Sequence, residues 1–257
     1  TMRSRINHSL NGQSKFSKIM FEKTLALGTK RYKDPKSLSL FDRLIDVFCE
    51  RLVRTKIRAR FGGRLKALIS GGAPLNEDVG IFFTALGIRI LQGYGQTEAS
   101  PVISANIPTN IQLHTVGPPL RGVEVKIAAD GEILVRGELV MKGYWNDPDS
   151  TIAAIDEEKW LHTGDIGHFD DNGFIVITDR KKDIIVNSGG DNISPQRVEG
   201  IFCLEAEVGQ VMVFGDQRSY LTAVVVADED WSKSWAQDEG KPYDLEILSS
   251  DKDFQSA

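Results

Sequence analysis

Cysteine is scarce. Cys49 and Cys203 are the only two in 257 residues, and neither has a partner at metal-ligand spacing. That excludes a disulfide scaffold and a zinc ribbon, and it fits a reducing compartment. Long apolar runs are missing too. The best of them, residues 81–91, falls short of the ~18–20 residues of a membrane helix and carries Arg89. No apolar stretch follows Thr1-Met2-Arg3-Ser4-Arg5, so no secretory signal is expected and the expected location is cytoplasmic. Nine prolines and 24 glycines are too few for a fibrous or mostly disordered chain. The four histidines are scattered and offer no nucleophile–base pair.

What is present is an ordinary soluble composition, 41% hydrophobic and 26% charged, with a net charge of -5. The length suits one large domain or two smaller ones. The net charge hides an asymmetry. Residues 1–66 hold 17 Lys and Arg against five Asp and Glu, and the remainder reverses this, 14 against 31. A basic segment attracts a membrane surface, nucleic acid or an anionic ligand. The plainer reading is a set of amphipathic helices with cations on their wet faces. Aromatic residues do not interleave with the basic ones as in nucleic-acid binders, so no nucleic-acid partner is expected.

Residues 1–40 read as partly helical. Phe41, Leu44, Ile45, Phe48, Leu52, Val53, Ile57 and Phe61 then recur at helical spacing, and Gly62-Gly63 stops the run. A short strand is predicted over 65–69. Asn76 is a candidate N-cap for a helix to about Leu86, and a second short strand is predicted over 88–91. This alternation argues for α/β architecture to about residue 115. After Pro118-Pro119 the pattern becomes β-rich. Residues 123–127 and 132–135 flank Ala129-Asp130-Gly131, and 166–169 and 174–178 flank Asp170-Asp171-Asn172-Gly173. The second turn lacks the ligand series of a calcium loop. Asp179-Arg180-Lys181-Lys182-Asp183 is a candidate domain boundary. Beyond it come strands over 184–186, 208–214 and 220–227, and a helix capped by Ser194-Pro195. The last thirty residues read as polar and poorly patterned.

No complete Walker A loop, dinucleotide fingerprint, His-Glu-x-x-His or Gly-x-Ser-x-Gly is present. What remains is a set of small-residue and carboxylate loops at strand ends. Ser70-Gly71-Gly72-Ala73 lets a flat ligand approach the backbone, or is only a turn. Tyr94 suits stacking on a base, or is a core aromatic. Thr97 offers a hydroxyl to a phosphate and Glu98 a hard oxygen to magnesium. Asp165 suits ribose hydroxyls or caps a loop. Arg180 reinforces it or belongs to a surface ion pair.

Taken together and in order, these segments resemble the adenylate-forming superfamily of acyl-CoA synthetases, luciferases and peptide-synthetase adenylation domains. The resemblance is carried by Ser70-Gly71-Gly72-Ala73-Pro74-Leu75, Gln92-Gly93-Tyr94-Gly95-Gln96-Thr97-Glu98 and Gly131-Glu132-Ile133-Leu134-Val135-Arg136-Gly137. It continues through Gly143-Tyr144, Trp160-Leu161-His162-Thr163-Gly164-Asp165 and Asp179-Arg180-Lys181-Lys182-Asp183 to Ser188-Gly189-Gly190. It spans about residues 40–230. Phe61-Gly62-Gly63-Arg64-Leu65-Lys66 makes it most similar to a bacterial long-chain fatty-acid–CoA ligase. The fold this implies is α/β and α+β. Residues 1–179 would be the latter part of the large AMP-binding domain, an α/β subdomain to about 115 and a small β-rich subdomain from about 116. Residues 180–257 would be an incomplete, mobile α+β C-terminal domain.

The resemblance implies an AMP-forming ligase that joins a fatty acid to coenzyme A through an acyl-adenylate. ATP, magnesium and coenzyme A are then the expected ligands. Gly71, Gly72 and Ala73 would lie along the adenine and acyl carbonyl, and Tyr94 would stack on adenine. Gln92, Gly93, Gly95 and Gln96 share its nucleotide loop. Thr97 would contact the α-phosphate and Glu98 would bind magnesium. Asp165 and Arg180 would hold the ribose, Lys182 would be the hinge, and Gly189 would line the pantetheine tunnel. The family's phosphate-cradling loop and C-terminal catalytic lysine have no match here, so little adenylating activity is expected of this chain alone. A fatty-acyl-AMP ligase, an amino-acid adenylation domain and a non-catalytic nucleotide- or acyl-CoA-binding module remain alternatives. The basic N-terminal segment is expected to contact an anionic inner-membrane surface peripherally.

Overall fold

The computed structural model describes residues 14–256. They fold as two compact units that meet between Lys181 and Lys182. Among the described residues of the first comes helix α1 (Lys15–Lys33), capped by the Ser14 hydroxyl. Helix α2 (Leu40–Cys49) follows, closed at its N-terminus by a reciprocal Ser39–Asp42 capping box. A π-helical turn (Glu50–Arg54) joins it to helix α3 (Thr55–Arg60).

That π turn decides which side chains are inside. It inserts a residue and so rotates the apolar stripe by about 100°. Val53 within it, and Ile57 and Phe61 beyond it, pack on the core. Leu40, Phe41, Leu44, Val47 and Phe48 before it are exposed. The even helical spacing in the sequence therefore does not mark one continuous buried face. Arg54, within the turn, is fully buried. Its Nε donates to the Ala85 carbonyl at 2.7 Å and its Nη2 to Asp46 at 2.7 Å.

Strand β1 (Leu68–Ser70) runs parallel to β2 (Ile90–Tyr94) through helix α4 (Glu77–Ala85), with β3 (Ser104–Ala105) antiparallel to β2. Both longer strands begin later than the sequence pattern suggests, so each delivers its loop directly from a paired residue. Asn76 caps α4, accepting from Asp78 and Val79. Ile81, Phe82 and Phe83 then enter a core that includes Phe21, Leu86, Ile88 and Ile90.

An antiparallel meander follows: β4 (Glu124–Ile127), β5 (Glu132–Arg136), β6 (Leu161–Phe169) and β7 (Ile175–Arg180), in that order. Helix α5 (Pro148–Ala154) lies between β5 and β6 in sequence. Asp170 makes the β6–β7 turn, accepting the amides of Asn172 and Phe174. Those bonds, the Phe174 amide first, hold its carboxyl below the usual range, so the acidic cluster builds a turn. Ile133, Val135, Leu161 and Ile175 form a second core with Tyr94, Ala99 and Ile103.

The second unit pairs β8 (Ile185–Val186) with β9 (Asn192–Ile193), followed by helix α6 (Pro195–Phe202). β10 (Val208–Phe214) pairs with β11 (Thr222–Ala227). The last thirty residues, poorly patterned as sequence, are largely helical: α7 (Glu229–Asp238), α8 (Leu245–Ser249) and α9 (Lys252–Ser256). Asp228 and Asp244 cap the first two, and Phe254 packs against Trp231 and Trp235 at 5.4 and 5.0 Å between ring centroids. The helices are too short for their periodicity to show in sequence. Among the described residues no helix is long and apolar enough to cross a membrane.

Gly28 on α1 meets Ala85 of α4 so closely that a β-carbon would lie 2.4 Å from the Ala85 Cα. Alanine gains about 1 kcal/mol of helix propensity over glycine, but overpacking costs about 1–3 kcal/mol or more. Backbone cannot yield as a side-chain tip does, so the clash wins. Gly28→Ala is expected to lower the stability of the first unit by about 2 kcal/mol in urea unfolding; an unchanged or raised midpoint would contradict this packing.

Candidate active site

The site is built at the C-terminal ends of β1 and β2 and on the facing edge of the meander. β1 runs into Gly71, Gly72 and Ala73, which are all exposed. A β-carbon on Gly71 would lie 3.3 Å from the Gly93 carbonyl oxygen, so this loop runs beside β2. At the end of β2 the chain turns through Gly95 and Gln96 into a 3-10 turn (Thr97–Ala99). A β-carbon on Gly95 would lie 1.7 Å from the Pro101 carbonyl oxygen, so no other residue fits there. The turn leaves Thr97 exposed and Glu98 half-buried. Gln96 Nε2 is buried, with no hydrogen-bond partner among the described residues.

Asp165 reaches this loop from β6, 7% exposed. One carboxylate oxygen accepts from the Tyr94 hydroxyl at 2.7 Å, and the other accepts from Arg180 Nε at 3.1 Å. Arg180 stands opposite Asp165 in the β6–β7 register, so the ladder itself sets the pair. Burial, and after it the Asp165 charge, pushes the Tyr94 phenol well above its ordinary range. Tyr94 therefore stays protonated and donates throughout the physiological range.

Asp165 is aimed by a bulge. Between the pairs Glu132–Ile166 and Leu134–His162 the β6 strand carries extra residues, and Gly164 takes φ +72°, where a side chain is strained. Thr163 pins the bulge: its hydroxyl donates to the Ile133 carbonyl at 2.7 Å and accepts the Asp165 amide at 3.1 Å. Glu132, on β5, accepts the Gly164 amide at 2.9 Å and Lys181 Nζ at 3.0 Å, with His162 Nδ1 at 3.2 Å. Lys181 also donates to Asp130 at 2.6 Å.

A model of AMP-binding enzymes matches residues 20–145, and a model of their C-terminal domain matches 182–241. The chain belongs to this adenylate-forming family. A long-chain fatty-acid–CoA ligase of Mycobacterium tuberculosis, FadD15, is 37% identical over 80% of this chain and 34% of its own length. Human long-chain fatty-acid–CoA ligase 1 is 35% identical over 81% of this chain and 32% of its own. Among solved structures, ATP-bound MatB from Rhodopseudomonas palustris has a TM-score of 0.58 at 30% identity, over 66% of this chain and 37% of that one. The AMP complex of O-succinylbenzoate coenzyme A synthetase from Bacillus subtilis has a TM-score of 0.58 at 28% identity, over 70% and 43%. The chain thus spans about a third of the length of these curated relatives.

In this adenylate-forming chain, the structure brings Gly71, Gly93, Tyr94, Gly95, Asp165 and Arg180 together around one loop cluster. Gln92 is different. Its carboxamide is buried and donates to the Leu113 carbonyl, so the side chain serves the fold and does not face a ligand. Lys182 opens the second unit. Gly189 lies in that unit, in an exposed turn made by Asn187 Oδ1, which accepts the Gly189 and Asp191 amides. The donor set suits magnesium held jointly with substrate phosphates. Glu98 supplies one carboxylate, and among the described residues no cluster of three metal-ligating side chains forms an all-protein cage. The unpartnered Gln96 amide nitrogen suits an acceptor on a nucleotide.

Thr163, Glu132 and Tyr144 all sit in the sequence motifs without an assigned role. For Glu132 the signal is a carboxylate opening a strand whose next three residues are apolar. Burial raises the Glu132 carboxyl, but Lys181, the Gly164 amide and His162 outweigh it and hold the group below its usual range. A lowered folded pKa adds stability above the unfolded value of about 4.3 and loses it as pH falls through the folded pKa. Glu132→Gln is expected to cost about 1–3 kcal/mol at pH 7. In chemical denaturation the gap from wild type should narrow as pH drops below about 4; a pH-independent gap would contradict an ionic role.

Proposed function

We propose that this chain carries part of an AMP-forming ligase that joins a long-chain fatty acid to coenzyme A through an acyl-adenylate. The observation that carries this reading is the shared carboxylate of Asp165, met by Tyr94 and Arg180 beside the glycine loops. The naming of its relatives as long-chain fatty-acid–CoA ligases supports the substrate class.

In this reading a fatty-acid carboxylate oxygen attacks the α-phosphorus of ATP, and the bond to the β-phosphate breaks, releasing pyrophosphate. The thiol of coenzyme A then displaces AMP from the acyl carbonyl. Gly71, Gly72 and Ala73 present backbone and at most a methyl group, so adenine and the acyl carbonyl lie flat against them. The Tyr94 ring packs beside adenine. Asp165 accepts from the ribose hydroxyls while the Arg180 fork donates. Thr97 donates to the α-phosphate, and Glu98 holds magnesium. Magnesium neutralises charge on the transferring phosphates when bound. Positioning and electrostatics then supply the rate without a covalent enzyme intermediate. Lys182, at the junction of the two units, is the hinge between the two half-reactions, and Gly189 leaves room for the pantetheine arm.

A second element of the proposal concerns location. Residues 14–60 carry 13 Lys and Arg against five Asp and Glu, and α2 exposes five large apolar side chains. Apolar insertion together with cationic attraction is the chemistry of an anionic lipid surface. Reversing Lys15, Lys18 and Lys23 to Glu is expected to weaken sedimentation with phosphatidylglycerol vesicles at least tenfold, at about 1 kcal/mol per cation. Equal binding by the variant rejects membrane contact.

The nucleotide reading is tested by calorimetric titration with a non-hydrolysable acyl-adenylate analogue. Saturable binding is expected, weakened tenfold or more in Asp165→Ala, the loss of charge-assisted bonds worth about 1.5–3 kcal/mol. A folded Asp165→Ala protein that binds as tightly as wild type would refute the ribose role.

A further inference from the structure

Tyr144 lies 46 residues beyond Glu98, yet its hydroxyl donates to Glu98 Oε1 at 2.9 Å. The contact is built by a dedicated loop. The Met141 amide donates to the Glu98 carbonyl at 2.8 Å, anchoring the loop to the 3-10 turn. The Tyr144 amide donates to Thr151 Oγ1 at 2.9 Å, and that hydroxyl donates on to the Asp147 carbonyl at 2.7 Å. Asp147 in turn caps α5, accepting the Ser150 amide at 3.0 Å. Gly143 takes φ +149°, and a β-carbon there would lie 2.7 Å from Thr151 Cγ2. Gly143, Tyr144, Asp147 and Thr151 thus act as one device whose far end is a phenol on the Glu98 carboxylate.

We propose that Tyr144 is a positioning residue for metal binding: it holds one carboxylate oxygen of Glu98 so that the other is presented to the divalent cation. This rests on the reading of Glu98 as the magnesium ligand. A half-exposed carboxylate on a three-residue turn has several rotamers open to it. A hydrogen bond from a phenol fixed at both its backbone and its hydroxyl selects one. Partners of metal ligands act in this way, and their loss commonly weakens metal binding by about 10–100-fold. Tyr144 touches neither substrate nor metal in this scheme, so its effect passes entirely through Glu98.

The test is titration of the chain with manganese–ATP, followed by electron paramagnetic resonance, in wild type, Tyr144→Phe, Thr151→Val, Glu98→Gln and the Glu98→Gln/Tyr144→Phe double variant. Tyr144→Phe keeps the ring and removes only the hydroxyl, and thermal melting verifies that each variant is folded. Tyr144→Phe is expected to bind about tenfold more weakly, and Thr151→Val to weaken binding in the same direction. The double variant should be no weaker than Glu98→Gln alone, because coupled residues are not additive. Full binding by Tyr144→Phe, with Glu98→Gln impaired, overturns this inference and leaves the magnesium reading standing. Additive losses in the double variant overturn it too. Unimpaired binding by Glu98→Gln, or none by the wild type, overturns the magnesium reading and the inference with it.

Discussion

The buried carboxylate of Glu132 is the constraint on which the geometry of the candidate site depends. It joins β5, β6 and the residue that follows β7 through side-chain bonds where the backbone ladder is interrupted by the β6 bulge. A buried charge costs several kcal/mol unless it is paired and hydrogen-bonded. Here three donors converge on it, from Gly164, Lys181 and His162. Two of these are chain neighbours of the site itself: Gly164 precedes Asp165, and Lys181 follows Arg180. Fixing them fixes the backbone beside the Asp165–Arg180 pair. The same Lys181 is the last residue of the first unit.

The two units differ in how they hold together. The first has two buried clusters, one under the helices and one under the meander. The second buries few large apolar side chains, Ile185, Val213 and Leu248 among them, and leaves Met212, Phe214 and Val224 through Val226 exposed on a two-stranded ribbon. A two-stranded ribbon is marginal by itself, and elements with few buried contacts open at lower free energy. On the proposed reading the site therefore rests on the firmer unit, while the less packed unit is the one that moves.

Much of this was legible in the sequence where a single residue type carries a single physical demand. Asn76, Ser194 and the glycines of the turns announced caps and reversals because few other residues meet those demands. The alternation in 123–127 announced a strand because its period is two. The inside face of residues 40–61 was not legible, because a π turn shifts the phase of the stripe without leaving a mark in the pattern. The C-terminal helices hid because five to ten residues are too few for a period to emerge. That the Gln92 carboxamide donates to the Leu113 carbonyl was not legible either, because position within a motif does not reveal a side chain's partner. Gln92 and Tyr94 share the buried face of β2, as alternation requires, and they differ only in the partners their polar tips meet. Glu132 and Tyr144 gained their roles only from partners 30 or more residues away in sequence.

The Asp165 carboxylate shows how such a site is both occupied and available. Two oxygens offer about four acceptor positions. Tyr94 takes one position on the first oxygen and Arg180 one on the second. About two remain, which is the number a ribose with vicinal hydroxyls requires. Tyr94, kept protonated by burial, always donates and so always blocks the same position. Arg180 offsets the charge, and its side chain stays about half exposed. On the proposed reading, the carboxylate meets the nucleotide already oriented and already stripped of most of its water. Little of the binding free energy is then lost to ordering it. A Tyr94 variant without the hydroxyl would leave a third acceptor position for water, and the carboxylate would be freer to turn. Affinity for the ribose would fall even though no contact with it had been removed.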